Sequence, residues 1–516
     1  MRKRHSNRIG ELLVAVLLTA TLGVAGAQDL SAQSQTSGQQ PAVPVPGFGQ
    51  DNPSAPVTEN PPISAIDQPG LEPHAAPLSY LQLGAHFSES ADSNVAGVLG
   101  SGNGVRSVTR ALGSLELQRL WSNYDLAFDY VGGVGYYNAR GLGFEQLHQL
   151  SVDQRVNWKR GQLAVRDAFS YLPEGNFAGG YGSLSATGQA LGGFGGSGFY
   201  GGTILGNLGQ VPRVVNFTLV DVTENLTPKS SVTASGGYSF VHYTGNNPEV
   251  QGLSFLGSSE VSAQAGYDRL LGRHDQMAVT YGYQGFNFSL PGFSASGSPI
   301  TLSTSFHTHV VQLMWGHRIS GRMDFVASAG PQFTVVNTQA QVCSVLGFPV
   351  NVLPQDCVSP GILNTVPEKS NRLTGAGRVS LRYRFPKTFL EIFLERYTTS
   401  GSGFFAGANS NIGRASVTRP LTRVWSVFAN AGYSSNSRVL LGGGTTARSY
   451  SYGFAGVGVH RQLGHDFRVF GSYQFNYLTF DNSFCAAVGT SSCNRISRRQ
   501  VVLLGLDWTP RPIRLD

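Results

Sequence analysis

Two histidines and a serine on one candidate strand are the residues whose types could carry catalysis. His307 and His309 share a strand face with Ser305, because successive side chains of a strand point to opposite faces. A serine beside a histidine could act as nucleophile and base in a lipase or protease, but that chemistry also needs an orienting acid and oxyanion donors. No acid has a suitable spacing. We therefore predict that the chain is not an enzyme and that both histidines lie at a rim.

Two other motifs could indicate bound groups. The glycine-rich run LGGFGGSGFYGG at 191–202 lacks the Lys-Ser/Thr ending and the strand-to-helix context of a phosphate-binding loop. We interpret it as a loop that either extends outward or folds in as a constriction. The four cysteines show no CxxC or Cys/His spacing typical of zinc sites. The sequence therefore predicts neither a metal nor a cofactor.

Charged residues in the stretch 372–397, RLTGAGRVSLRYRFPKTFLEIFLERY, suggest the wall of a pore. If the chain reverses at Pro386-Lys387, Arg382 comes opposite Glu391 and Arg378 opposite Glu395, which are favourable cross-strand pairs. Such residues either set ion selectivity or brace the wall, and the sequence leaves both readings open. The excess of arginine favours anionic solutes. The pore-lining candidates are Arg372, Arg378, Arg382, Arg384, Glu391, Glu395, Asp153, Arg166, Arg414, Arg468 and Arg499.

Segments with alternating apolar and polar residues recur in pairs from Leu78 to the end of the sequence. Short turns alternate with long loops, which is typical of bacterial outer-membrane barrels. We predict an all-β fold, a transmembrane antiparallel up-and-down β-barrel of about 18 strands (16–18), with apolar faces toward lipid and polar faces toward a wet lumen. Val310-Val311 breaks the alternation, and residues 501–504 are apolar on both faces. Asp167 and Arg419 fall on lipid-facing positions, which predicts a rim location or a bulge there.

Composition and targeting agree with an exported barrel. Basic residues precede the apolar run Leu12–Val24, and Ala25-Gly26-Ala27 follows it, as in a signal peptide cleaved before Gln28. Removing residues 1–27 takes away four basic residues and one acidic residue and lowers the formal net charge from +7 to +4, so that charge gives no reason to expect nucleic acid as a partner. Charged residues are 13 % of the chain and glycines number 66, about half and nearly double the usual shares.

These features define three predicted segments. Residues 1–27 are the signal peptide, residues 28–77 are a disordered periplasmic tail rich in Pro, Gln and Ser, and residues 78–516 are the barrel. Export permits disulfides, and proximity in sequence favours Cys343–Cys357 and Cys485–Cys493 among the three connectivities. Interfacial aromatic girdles are predicted to include Trp158, Trp425, Tyr433, Tyr477 and Trp508. The expected location is the outer membrane with both termini periplasmic, and the expected partners are membrane lipid and the barrel-assembly machinery.

Three stretches resemble a family of β-barrel porins: HFSESADSN (86–94), WSNYDLAFDYVGGVGYYNAR (121–140) and LHQLSVDQRVNWKRGQLAVRDAFSYL (147–172). The resemblance implies an outer-membrane barrel. Some members of that family are linked to exopolysaccharide systems. Two functions remain open: a porin-like channel for small polar or anionic solutes or for surface-polysaccharide export, and a closed barrel that acts in adhesion through its outer loops. A soluble secreted β-protein such as a propeller is the third possibility.

Overall fold

The computed structural model describes thirteen stretches of the chain, and almost all of their residues belong to β-strands. Among these residues, no helix is long and apolar enough to cross a bilayer. The predicted signal peptide and tail lie outside the described residues. The described residues are 79–94, 104–138, 143–172, 213–243, 257–272, 274–293, 299–345, 348–350, 362–385, 387–399, 405–439, 448–486 and 494–515.

Eighteen long antiparallel strands form one closed sheet, which confirms the predicted fold class and strand number. Two short strands, β12 (Phe348–Val350) and β20 (Ile513–Arg514), and one helical turn, α1 (Ser483–Ala486), accompany them. The long strands are β1 (Tyr80–Asp92), β2 (Arg106–Leu120), β3 (Tyr124–Tyr137), β4 (Phe144–Trp158), β5 (Gly161–Leu172), β6 (Arg213–Thr227), β7 (Ser230–Tyr243), β8 (Ser258–Leu270), β9 (Asp275–Phe293), β10 (Pro299–Ser320), β11 (Met323–Val345), β13 (Ile362–Arg384), β14 (Phe389–Thr399), β15 (Ala408–Pro420), β16 (Trp425–Arg438), β17 (Ser449–Leu463), β18 (Phe467–Phe480) and β19 (Ile496–Trp508).

The first and last long strands close the barrel. β1 pairs with β2 from Tyr80↔Gln118 to Asp92↔Arg106, and its other edge pairs with β19 from Ala85↔Trp508 to Asp92↔Val501. β20 continues that second ladder at Tyr80 and Leu81. Backbone N–H and C=O groups cannot be left unpaired in hydrocarbon. Closure therefore satisfies the edges that an open sheet would expose.

The two faces of each strand are reversed relative to those of a water-soluble protein, and β19 shows this most clearly. Leu504 is 64 % exposed on the outer face, whereas Asp507 on the inner face is 0 % exposed. The stretch 501–504, apolar on both faces in sequence, still alternates, with Leu503 buried inside. An apolar exterior around a polar interior is stable when lipid surrounds the barrel.

The short turns all lie at one end of the barrel, hereafter the short-turn end, together with the start of β1 and the end of β19. The opposite, loop end differs from the sequence expectation at one place. Short turns alternating with long loops predict a loop between the strands that flank residues 338–371, but β11 and β13 continue their ladder as far as Ser344↔Ile362. Backbone pairing, which includes Pro367 opposite Gln339, extends this hairpin through a stretch with no apolar alternation in its sequence.

Neither the lipid-facing Asp167 nor Val310-Val311 produces a shift of register in the ladders around it. Val310 is buried inside and Val311 is exposed outside, in regular alternation. The β5–β6 register is unbroken at Asp167↔Thr218; Asp167 stays on the outer face and accepts a hydrogen bond from Thr218 Oγ1 (2.6 Å). Arg419 lies next to the end of β15, at the rim. At Asp167 the strand is therefore regular, and the Thr218 hydroxyl satisfies the carboxylate on the outer face where a bulge was expected.

The β10–β11 ladder lacks two residue pairs between Val310↔Gln332 and Leu313↔Ala329, and its register shifts near the short turn, between Arg318 and Ser320. Gly330 and Pro331 fill the gap between those pairs on β11. Proline has no N–H to donate to the ladder, and a Cβ on Gly330 would lie 1.7 Å from the carbonyl oxygen of Val311. Glycine at position 330 therefore permits the two backbones to approach each other closely.

We expect Gly330→Ala to destabilise the barrel by about 2 kcal/mol, because the added methyl group meets backbone atoms that cannot rotate away. Urea unfolding in detergent micelles, followed by the heat-modifiable mobility of the folded barrel, measures the change. Gly375→Ala is the matched control, since nothing lies within 4 Å of a Cβ at that position on β13. Equal stability of the two variants would contradict this account of the gap.

Candidate pore wall

Hydrogen-bonding side chains, all but two of them uncharged, line the inner face of β7 to β11. Gln284 Nε2 donates to Glu260 Oε1 (3.1 Å), and Thr304 and Thr308 form hydroxyl pairs with the neighbouring strand. These inward residues are buried. A wall of this composition, with Glu260 and Asp268 as its acidic members, offers hydrogen bonds to small polar molecules. The buried members are Ser231, Ser239, Glu260, Asp268, Gln276, Thr280, Gln284, Thr304, Thr308, Gln312, Ser328, Gln332 and Thr334.

The β13–β14 hairpin presents its charges inward, with the registers Arg382↔Glu391 and Arg378↔Glu395 expected from the sequence. Arg382 Nε donates to Glu391 Oε1 at 3.2 Å. Glu395 is buried at the level of Arg378, and Arg372 falls on the same face of β13, towards the loop end. Arg378 and Arg382 therefore each have a glutamate opposite them on β14, whereas Arg372 lies opposite Thr334 of β11.

Arg384 and Arg414 occupy the register positions Arg384↔Phe389 and Phe393↔Arg414. Their side chains lie outside the described part of the structure, as do the side chains of all four cysteines. Their roles in the wall, and the pairings Cys343–Cys357 and Cys485–Cys493, therefore remain predictions.

A second charged network joins β4, β5 and β6, at a similar distance from the short turns. Arg155 Nη2 lies 2.7 Å from Asp153 Oδ2, and Arg166 bridges two carboxylates, with Nε 3.5 Å from Asp153 Oδ2 and Nη2 3.2 Å from Asp221 Oδ1. Asp153, Arg166 and Asp221 are buried. The pairing of Asp153 with Arg166 was expected from the sequence; the second carboxylate, Asp221, and the second arginine, Arg155, were missed.

A third network crosses the seam between β1 and β19. Asp507 accepts from Arg468 (Nη2–Oδ2 2.8 Å), and its Oδ1 lies 3.1 Å from His86 Nδ1. Nearer the loop end, Arg499 pairs with Asp92. Arg468 and Arg499 were expected to face inward and do so. Asp507, the partner of Arg468, was missed, and so were His86 and Asp92 on β1, although the run His86-x-Ser88-x-Ser90-x-Asp92 has the period of an inner strand face.

The connection between β14 and β15 reaches into the barrel at its described ends. Thr398 accepts a hydrogen bond from Gln332 of β11. Gly407 has a φ of +87°, a backbone conformation that favours glycine, and a Cβ there would lie 2.5 Å from the ring of Phe306 on β10. Ala406 packs in one buried cluster with Phe286, Phe288, Phe306, Val336 and Val439. We call Phe405–Gly407 the inward segment.

Aromatic contacts continue from the inward segment to the far side of the wall. The ring of Phe405 lies 5.2 Å from that of Tyr450 on β17, Tyr450 lies 6.1 Å from Phe480 on β18, and Phe480 stacks on Phe484 at 4.6 Å. The apolar contacts therefore run from β9 and β10 through the inward segment to β17 and β18. No periodic pattern marks residues 405–407, and sequence reasoning missed them.

Asp481 holds the start of the β18–β19 connection, which also carries Phe484 of this aromatic row. It accepts hydrogen bonds from the backbone N–H groups of Arg448 (2.8 Å), Ser449 (2.7 Å) and Ser483 (3.1 Å). Partial burial would by itself raise the pKa of Asp481, but the hydrogen bonds to Ser483, Arg448 and Ser449 favour the carboxylate and lower that pKa below its ordinary value. This connection is therefore held most firmly when Asp481 is ionised.

The residues expected at a rim or in girdles lie on the outer face. His307 and His309 have Nδ1 atoms 2.8 Å from the hydroxyls of Tyr283 and Tyr281. Neither histidine contacts an acid among the described side chains, which gives no support to catalysis.

Trp158, Trp425 and Trp508 are exposed at the short-turn end, and Tyr433 and Tyr477 face outward nearer the loop end. No group of three or more His, Cys, Asp or Glu within the described ranges could hold a metal ion.

No protein-family model and no curated protein sequence matches the chain. Solved outer-membrane barrels are similar in structure. The ferric-catecholate import receptor Fiu of E. coli K12 matches at 9 % identity over 83 % of this chain and 81 % of its own, with a TM-score of 0.40. OccK2 (OpdF) of Pseudomonas aeruginosa matches at 8 % identity over 85 % of this chain and 98 % of its own, with a TM-score of 0.39. Likenesses this distant identify no function, and the barrel rests on the strand pairing described above.

We expect Arg166→Met to destabilise the barrel by about 3 kcal/mol, because Asp153 and Asp221 lose the guanidinium between them. Adding Asp153→Asn and Asp221→Asn should restore most of the loss. Urea unfolding in detergent measures both effects, and Arg269→Met, at an exposed position of β8, controls for the substitution itself. If the triple variant is no more stable than Arg166→Met, the ion pairs do not brace the wall.

Proposed function

We propose that the chain forms an outer-membrane channel for the passive passage of small polar solutes. The observation that carries the proposal is the inner wall, which consists mainly of hydroxyl, amide and paired charged side chains inside an apolar, outward-facing belt. Two apolar clusters, one of them around Leu147 and Phe470 and the other around Phe286 and Phe306, interrupt this wall. A mainly polar inner face in an eighteen-stranded barrel suits an aqueous path. No step of such passage needs a cofactor or a catalytic residue.

Opposite parts of the wall carry opposite charge excess. On β13 and β14, Arg372, Arg378 and Arg382 outnumber the two glutamates, which favours anions beside that wall. On β3 to β6, four aspartates outnumber Arg155 and Arg166; the aspartates are Asp125, Asp129, Asp153 and Asp221. We therefore propose weak overall ion selectivity, in place of the anion preference that the arginine excess of one hairpin favours.

The inward segment is proposed to limit the size of the solute. Phe405 to Gly407 occupy lumen space between β10 and β17, and their contacts are apolar and buried. A polysaccharide chain needs more room than a small molecule, and no observation on the described wall supports its export. The solutes that this wall suits best are therefore small molecules.

A closed barrel that acts in adhesion is the second candidate, because many inner side chains have little exposure to water. Gln284, Thr308 and Asn476 are each at most 1 % exposed. Tight packing of this kind would block a path if it extended across the lumen. Electrical conductance separates the two candidates directly.

Location and orientation belong to the same proposal. A signal peptide at 1–27 would export the chain, and the barrel-assembly machinery would insert it into outer-membrane lipid. The short-turn end, with both barrel termini, would face the periplasm, and residues 28–77 would extend from it as a tail.

The purified barrel in planar bilayers is expected to give stepwise ionic current with a reversal potential near zero in a salt gradient. Asp125→Asn with Asp129→Asn should shift that potential toward anion preference, and Arg372→Gln should shift it toward cation preference, because each removes one sign of wall charge. Folding is checked by heat-modifiable mobility. Folded protein that gives no current steps would rule out the channel and leave the closed barrel.

A second expectation concerns the inward segment. Gly407→Val should displace it, because the side chain would overlap the ring of Phe306 and the backbone has positive φ. We expect larger single-channel conductance and faster entry of larger sugars into proteoliposomes, measured by swelling. Gly464→Val, in a turn with φ +68° and open space around its Cβ, controls for backbone strain. Unchanged conductance in Gly407→Val would show that the segment does not set the limit.

A further inference from the structure

All five tryptophans of the chain lie at the short-turn end of the barrel, on its outer face. Trp158 ends β4, Trp425 begins β16 and Trp508 ends β19, and Trp121 and Trp315 lie close to the same end. Each is between 37 and 49 % exposed. Tryptophan prefers the boundary between hydrocarbon and headgroups, so this ring marks one membrane interface.

Cationic side chains surround the same end. Within the described ranges, five of the eight short turns carry exposed lysine or arginine: Lys159-Arg160, Lys229, Arg322, Lys387 and Arg423. Further arginines lie on the outer face just above the turns; the Arg119 guanidinium is 5.6 Å from the ring of Trp121, and that of Arg461 is 5.2 Å from the ring of Trp425.

Few acidic residues at this end lie in the turns or on the outer face, and two of these are already engaged. Glu224 accepts a hydrogen bond from Trp158 Nε1 (2.7 Å), and Asp275 accepts one from Trp315 Nε1 (3.2 Å) with His317 Nδ1 2.8 Å away. Asp466 lies in the last turn. The exposed charge around the tryptophan ring is therefore strongly positive on every side of the barrel.

We propose that the short-turn end is a binding surface for anionic phospholipid headgroups, which collect around the barrel as a ring of lipid in that leaflet. Cations near a membrane surface attract anionic lipid, and arginines stacked on interfacial tryptophans hold their charge at headgroup level. The surface follows the whole circumference, which fits a leaflet better than a single protein partner. This inference rests on the barrel and its belt and is independent of conduction.

The five tryptophans report on this surface directly, because lipids brominated on their chains quench the fluorescence of nearby tryptophan. The folded barrel is reconstituted in vesicles of phosphatidylcholine with a minor fraction of phosphatidylglycerol, and one lipid at a time is brominated. Per mole of brominated lipid, we expect phosphatidylglycerol to quench about twofold more than phosphatidylcholine. About 1 M salt, where the Debye length is about 3 Å, should abolish the difference.

A variant combining Lys159→Gln, Arg160→Gln, Lys229→Gln, Lys387→Gln and Arg423→Gln should lose the preference without losing its heat-modifiable mobility. Lys369→Gln with Arg396→Gln, on β13 and β14 toward the loop end, is the control and should keep it. Equal quenching by the two brominated lipids in wild-type protein would overturn the proposal without need of any variant. A preference that persists in the five-site variant, or in high salt, would overturn it as well.

Discussion

The structure depends on closing one sheet so that no backbone edge is left unpaired in lipid. In hydrocarbon each unpaired N–H or C=O costs several kcal/mol, so the two end strands must meet however far apart they are in sequence. The overlap of β1 with β19 is shorter than its overlap with β2. The seam is reinforced from inside, where Asp507 joins His86 to Arg468 and Asp92 joins Arg499.

Closure also decides where polar side chains lie. Once the exterior meets lipid, period-two alternation sends every second residue into the interior, where it must be hydrated or paired. On that face Arg382 lies in register with Glu391, and Arg166 lies in register with Asp153 and reaches Asp221 diagonally. The same inward-facing charged pairs therefore both brace the wall and line the interior. The same rule places Phe286 and Phe306 inside, where they form the seat of the inward segment.

Alternation and turn chemistry are local, and they were sufficient to predict the strand number, the facing of residues 372–397 and the pairs Arg378↔Glu395 and Arg382↔Glu391. These local signals could not predict contacts between strands that are far apart in sequence. The link from His86 to Asp507 needs the closed ring, and Asp221 reaches Arg166 across the β5–β6 connection. The sequence of the inward segment shows no periodic pattern of apolar residues. Its position depends on the positive φ of Gly407 and on the close approach of Gly407 to the ring of Phe306. Asp167 was assigned to the outer face correctly, but its hydroxyl partner Thr218 lies 51 positions later in the sequence.

The central claim is that the apolar face of each strand meets lipid while the polar face meets the interior. A nitroxide-bearing unnatural residue placed singly at successive positions of β10 tests it by power saturation, with oxygen as the lipid-soluble relaxant and a nickel chelate as the water-soluble one. Positions 311 and 313 should be reached by oxygen and protected from nickel, and positions 308 and 312 should lose the oxygen signal. Protection of 311 and 313 from oxygen, as in a core of two sheets packed face to face, would contradict the account.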